Sequence, residues 1–209
     1  MLAAFMHGVI LAFGLIIPLG VQNVFIFNQG ATQPKLASAL PSVLTAFICD
    51  TLLISLAVLG VSVVVLQFAW LKLTLFVLGI IFLMYMGFAT WKAKPNEKQA
   101  KFSAFSAKKQ IYFALSVSLL NPHAILDTIG VIGTSSLNYY GHHKVLFTVG
   151  CILVSLIWFI SLAVLGNFTK KIDNNGSLLN SINKVSALII FGVAFYLIWQ
   201  CILHFQGLS

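Results

Sequence analysis

Ile16-Ile17-Pro18-Leu19-Gly20-Val21-Gln22-Asn23 lies inside an apolar run from Leu2 to Phe27, and its reading decides the fold. The run exceeds the ~20 residues a helix needs to cross the hydrocarbon core of a bilayer, so it predicts a membrane span. Within it, Pro18 removes a backbone donor and clashes with the turn before it, and Gly20 adds freedom two residues on. The helix should therefore loosen around Leu19. Gln22 and Asn23 then fall on the next turn, too deep in the span to be ordinary surface residues.

The rest of the chain repeats the theme. Of its 209 residues 60% are hydrophobic and only 8% charged, and the mean hydropathy is +1.02, more apolar surface than a soluble domain of this size can bury. Five further segments read as spans: about Ser38–Leu66, Phe68–Trp91, Ile111–Thr134, Lys144–Phe168 and Lys184–His204. The period-two alternation of a barrel strand is absent, so the fold class is an all-α membrane protein, one polytopic domain over 1–209. The amino terminus lacks the basic stretch and cleavage pattern of a removable signal and reads as a retained span.

The formal charge of +8 does not point to nucleic acid, because ten of the twelve lysines fall in the first, third and fifth loops: Lys35, Lys92–Lys109 and Lys170–Lys184. By the positive-inside rule those loops are cytoplasmic and both termini lie outside if all six segments cross. Were the first segment not to cross, five spans would remain. Lys92–Gln110 reads as a solvated cytoplasmic loop, with anionic lipid as an alternative contact.

Cys49, Cys151 and Cys201 sit in apolar runs without CxxC spacing and read as small buried hydrophobes; no metal or cofactor is implied. Trp70, Trp91, Tyr139 and Tyr140 read as anchors at headgroup depth, and His142 and His143 as solvated residues of an outer loop.

Two stretches read alike. Ser55–Gly60 and Ser161–Gly166 are both SLAVLG, and Ile80-Ile81-Phe82 is matched by Ile189-Ile190-Phe191. Pro18 precedes Asn23 by five residues, as Pro122 precedes Asp127. Three spans per half makes two inverted repeats, about 1–91 and 111–209 flanking a loop at 92–110, with helices 1 and 4 interrupted. That is the plan of many secondary transporters, whose sites lie near the midplane.

At Asn121-Pro122, asparagine suits an amino-terminal cap and proline the first helical position, so a half-helix should begin there. Asp50 and Asp127 are the only carboxylates inside apolar runs. A charge at the bilayer centre is unfavourable by ~3 kcal/mol, so both should face a bundle interior or a wet cavity. The predicted substrate or coupling residues are Asp50, Asp127, Asn23, Gln22 and Asn121, with breaks at Pro18, Gly20 and Pro122. A substrate carboxylate could dock at the start of a half-helix while a cationic amine or guanidinium pairs with an aspartate. The simpler alternative is kinked helices joined by amide hydrogen bonds.

Ile16–Asn23, Asn28-Gln29-Gly30, Asp50 after Ile48-Cys49, and Leu120–Thr128 together resemble the lysine/arginine exporter family, and within it the arginine outward transporter branch. The likeness covers nearly the whole chain; one departure is Val21, where members usually carry proline. It implies a bacterial inner-membrane, multi-pass exporter of basic amino acids that is not an enzyme. The expected partners are an amino-acid substrate and membrane lipid, with a proton as counter-ion and a homodimer left open. With no P-loop, energy must come from an ion gradient, the membrane potential or the substrate gradient. A neutral amino acid or another small metabolite is the alternative cargo. An intramembrane aspartyl protease is the remote one, disfavoured because Ile125-Leu126-Asp127 replaces the GxGD such enzymes carry.

Overall fold

The computed structural model describes residues 1–17, 20–60, 105–119, 125, 128–172 and 177–205, with isolated positions between 77 and 92. Every regular element among them is helical: α1 (Leu2–Ile16), α2 (Val21–Thr32), a 3-10 turn (Leu36–Ala39), α3 (Leu40–Val58), α4 (Ala107–Leu119), a π-helical stretch (Thr128–Gly133), a single turn (Thr134–Ser136), α5 (Gly141–Ile172) and α6 (Ser177–Phe205).

Among the described residues two helices are long and apolar enough to cross a membrane, Leu36–Val58 and Gly141–Thr169. Leu2–Ile16 and Val21–Thr32 form one further broken span or a re-entrant loop, bent by 82°. The first predicted span is therefore two helices that meet at an angle. Pro18 and Leu19, to which the sequence assigns the break, lie outside the described residues, as does most of the third predicted span including Trp70. In the second predicted span α3 stops at Val58 and Gly60 turns into the left-handed region at φ 79°; residues 61–66 lie outside the described residues. The fifth is longer than expected, since α5 continues to Ile172. The two SLAVLG copies thus occupy different settings, one closing α3 and one inside α5.

Patterning on α3 and α5 explains the assembly. Leu44, Ile48, Leu52 and Leu56 recur every four residues and are exposed, an apolar stripe suited to lipid, whereas Ala46, Cys49, Ile54 and Ala57 point inward. On α5, Val149, Leu153, Ile157 and Ile160 are exposed while Phe147, Cys151, Val154, Ser155, Phe159 and Leu162 are buried. Lipid tails are as apolar as leucine, so burial gives little drive for helices to associate in a bilayer; small residues that let backbones approach do more. Ala4, Gly8 and Ala12 form such a stripe on α1.

α5 uses it against both halves of the broken span. A Cβ at Gly8 would collide with the Phe147 carbonyl oxygen, and one at Gly150 with that of Phe5. Further along, Gly30 abuts the Ala163 carbonyl oxygen and Gly166 that of Phe27. One continuous helix therefore backs two short ones across their break, and the residues of α5 between the glycine contacts face that break.

A second polar cluster pins the far end of α2. Gln33 Nε2 donates to Gln29 Oε1 (3.1 Å) and to the Phe105 carbonyl (2.9 Å). Gln110 Nε2 donates to the carbonyls of Ser38 (2.9 Å) and Phe105 (3.0 Å). All three glutamines are buried, and they fasten the start of α4 to the end of α2. The Phe105 ring packs on Phe25 and Phe113.

At the other end Tyr139 joins two helices. It shares a 2.8 Å hydrogen bond with His7 Nδ1 and stacks on Phe147, and so ties α1 to α5. Tyr140, His142 and His143 are exposed, as is Trp91. Cys49 and Cys151 are buried free thiols; the side chain of Cys201 lies outside the description.

Candidate functional site at the broken span

Breaking a helix inside a membrane strands backbone groups that no water can satisfy. α1 ends at Ile16, and the Ile16 carbonyl has lost the amide that a continuing helix would supply. Asn23, in the first turn of α2, fills that role: its Nδ2 donates to the Ile16 oxygen at 2.7 Å. One polar side chain thus stitches the two fragments across the break. On the α2 side Gly20 is the cap residue in an extended conformation, without a side-chain cap. The first amides of α2 consequently carry the partial positive charge of an open helix start.

Gln22, the neighbour of Asn23, reaches across to α3. Its Nε2 donates to Asp50 Oδ1 at 3.2 Å. The other carboxylate oxygen is engaged from α5, where Ser155 Oγ donates to Asp50 Oδ2 at 3.1 Å. Asp50 shares a face with Ala46 and Ile54, one turn either side, both buried. The carboxylate therefore sits on the inward side of α3 where α2, α3 and α5 converge. Both donors are neutral. They orient the carboxylate, and among the described residues no cation compensates its negative charge, which fits it to receive one.

Sequence reasoning picked Gln22, Asn23 and Asp50, and the structure brings them together at the break. Asn121, Pro122 and Asp127, and with them the half-helix expected from Asn121, lie outside the described residues. Ser155 was missed. Serines in helices commonly turn back on the carbonyl four residues earlier, as Ser161 does to Ile157, so a helical serine does not stand out by its type. Its spacing of one turn from Cys151 and two from Phe147 on the buried face of α5 was the available signal. Among the described residues no group of three or more His, Cys, Asp or Glu side chains could hold a metal ion.

Residues 13–201 match the family described as LysE type translocator. The chain is 55% identical over 193 residues to "Putative amino-acid transporter YisU" of Bacillus subtilis (strain 168), covering 92% of this chain and 88% of that one. It is 30% identical over 215 residues to the arginine exporter protein ArgO of Enterobacter sp. (strain 638), covering 100% of this chain and 99% of that one. The ArgO of Salmonella paratyphi B is 32% identical over 213 residues at the same coverage. No solved structure matches the chain.

Proposed function

The chain belongs to the LysE type translocator family and is an amino-acid transport protein of the membrane, not an enzyme; on that premise we propose that it exports arginine or lysine across the bacterial cytoplasmic membrane. The observation that carries the choice of a basic substrate is Asp50. It is an inward-facing carboxylate within α3, held by Gln22 and Ser155 and neutralised by neither. An aspartate held by neutral donors binds a guanidinium or ammonium by Coulomb attraction in a low dielectric, whereas a neutral amino acid offers it only its α-ammonium. The names of the arginine exporters at 30–32% identity support the same cargo.

In this reading the open start of α2 and the half-helix expected at Asn121-Pro122 provide amide groups for the substrate carboxylate, with Asp127 as the second acidic group. Two inverted three-helix repeats would place these groups near the midplane. Gln22 and Asp50 come from the first proposed repeat and Ser155 from the second, which would set the carboxylate between the two halves. Without a P-loop, flux is driven by a gradient, and a proton competing with the cation at an aspartate would couple the two.

The test is efflux from cells preloaded with arginine through a dipeptide, in a strain lacking the protein and in the same strain expressing it. Expression should relieve arginine or lysine accumulation. Relief confined to neutral amino acids would refute the basic-substrate reading.

A further inference from the structure

With the cation at Asp50, the carboxylate end of the substrate still needs a side chain to hold it. α5 carries one. Trp158 lies one helical turn beyond Ser155, ~4.5 Å further along the axis and on the same side of the helix. Its ring meets Phe13, in the last turn of α1, edge-on with centroids 6.5 Å apart. It also packs in the same cluster as Ile16, the residue whose carbonyl Asn23 holds across the break. The indole therefore sits beside the broken span, next to the donor that positions Asp50.

Its N–H is stranded. Trp158 Nε1 is a buried atom with no hydrogen-bond partner among the described residues. An indole N–H can only donate, and buried tryptophan normally finds an acceptor. Asp50, whose two oxygens accept from Gln22 and Ser155, is not that acceptor. The hydroxyl of the residue after Asp50 behaves in the same way: among the described residues Thr51 Oγ1 is buried and unpartnered, although Thr45 on the same helix and Thr148 on α5 each bond the carbonyl four residues back. One polar group beside Asp50 in sequence and one a turn from its donor Ser155 are thus unpartnered among the described residues, and the threonine is kept out of the bond its own helix could offer. In an apolar interior that arrangement is costly unless something else supplies the partner.

We propose that Trp158 is a specificity-determining residue of the transport site, its indole N–H donating to the carboxylate of the amino-acid substrate while Asp50 takes the cationic group. This rests on the reading of Asp50 as the cation site. It adds a basis for rejecting amines: a polyamine or decarboxylated amino acid satisfies Asp50 but leaves the indole donor stranded, and sites that lose a hydrogen-bond partner discriminate strongly.

The experiment compares arginine with agmatine, the same guanidinium chain without the carboxylate, in proteoliposomes of wild-type and Trp158→Phe protein. Phenylalanine keeps a ring against Phe13 and removes the donor. The apparent KM for arginine should rise about tenfold, the loss expected for one charge-assisted hydrogen bond, while inhibition by agmatine stays unchanged. Equal shifts for both compounds, as a merely structural role would give, or no shift for either, would overturn the proposal. Should Trp158→Phe not insert, a protein retaining Trp158 alone, with Trp70, Trp91 and Trp199 replaced by phenylalanine, carries the test. Arginine should then shift the Trp158 emission and agmatine should not; identical responses to the two, or none, reject the assignment. Asp50→Asn separates this from the underlying reading. It should lose arginine and agmatine together, and a variant that keeps both defeats the cation site and the inference built on it.

Discussion

Asp50 was legible in the sequence because a carboxylate inside an apolar run is expensive in any bilayer, and cost on that scale implies a purpose. Its partners were less so. Gln22 could be picked out as a polar residue too deep in a span, but Ser155 and Trp158 have ordinary alternatives in a helix, a hydroxyl bonded to its own backbone or an aromatic in a core. What distinguishes them is three-dimensional: Ser155 donates to a residue 105 positions away. Replacing Ser155 by alanine should leave insertion intact and weaken basic amino-acid transport about tenfold, consistent with one hydrogen bond to a charged group worth about 1.5 kcal/mol. Kinetics in proteoliposomes measure this, and transport identical to wild type would mean that Gln22 alone orients the carboxylate. Asn23→Ala should be more damaging. It frees the Ile16 carbonyl inside the membrane, and reduced yield of folded protein in detergent should accompany any loss of flux.

The break in the first span is an element whose place could be read from Pro18 and Gly20, since each acts on the backbone locally. The 82° bend could not, because it is set by what the two fragments pack against. That partner is α5, and the code is small residues: Gly8 and Gly150 at one end, Gly30 and Gly166 at the other. In sequence these glycines are scattered among many, and only the backbone approach singles them out. Gly166→Leu should lower stability by about 3 kcal/mol or more, above ordinary overpacking, because its Cβ meets the Phe27 carbonyl oxygen and not a movable side chain. Gly14→Leu, where among the described residues nothing lies within 4 Å, is the matched control. Thermal unfolding in detergent compares them, and equal melting points would show that α5 and α2 separate freely. For the fourth span, Asn121→Ala with Pro122→Ala should reabsorb the amides of the expected half-helix and remove the preference for an amino acid over its diamine. Unchanged discrimination in a well-expressed protein would mean that this proline only kinks the helix.

At the scale of the molecule, composition alone settles that the protein lives in a membrane, and family membership settles that it transports amino acids. The assignment of loops to sides rests on lysines, which report charge asymmetry and nothing about packing; with ten of twelve in loops one, three and five, both termini should face outward. Reporter fusions at each terminus check this, and a cytoplasmic carboxyl terminus would contradict six spans. The central claim is narrower: a carboxylate where α2, α3 and α5 meet binds a basic amino acid and makes its transport possible. Its most direct test is arginine counterflow into proteoliposomes holding equal amounts of wild-type or Asp50→Asn protein, a substitution that keeps the side chain's shape and removes its charge. The account predicts robust counterflow for wild type and at least a hundredfold less for the variant, the loss of a desolvated ion pair of about 3 kcal/mol. Counterflow at wild-type rates through Asp50→Asn would contradict it.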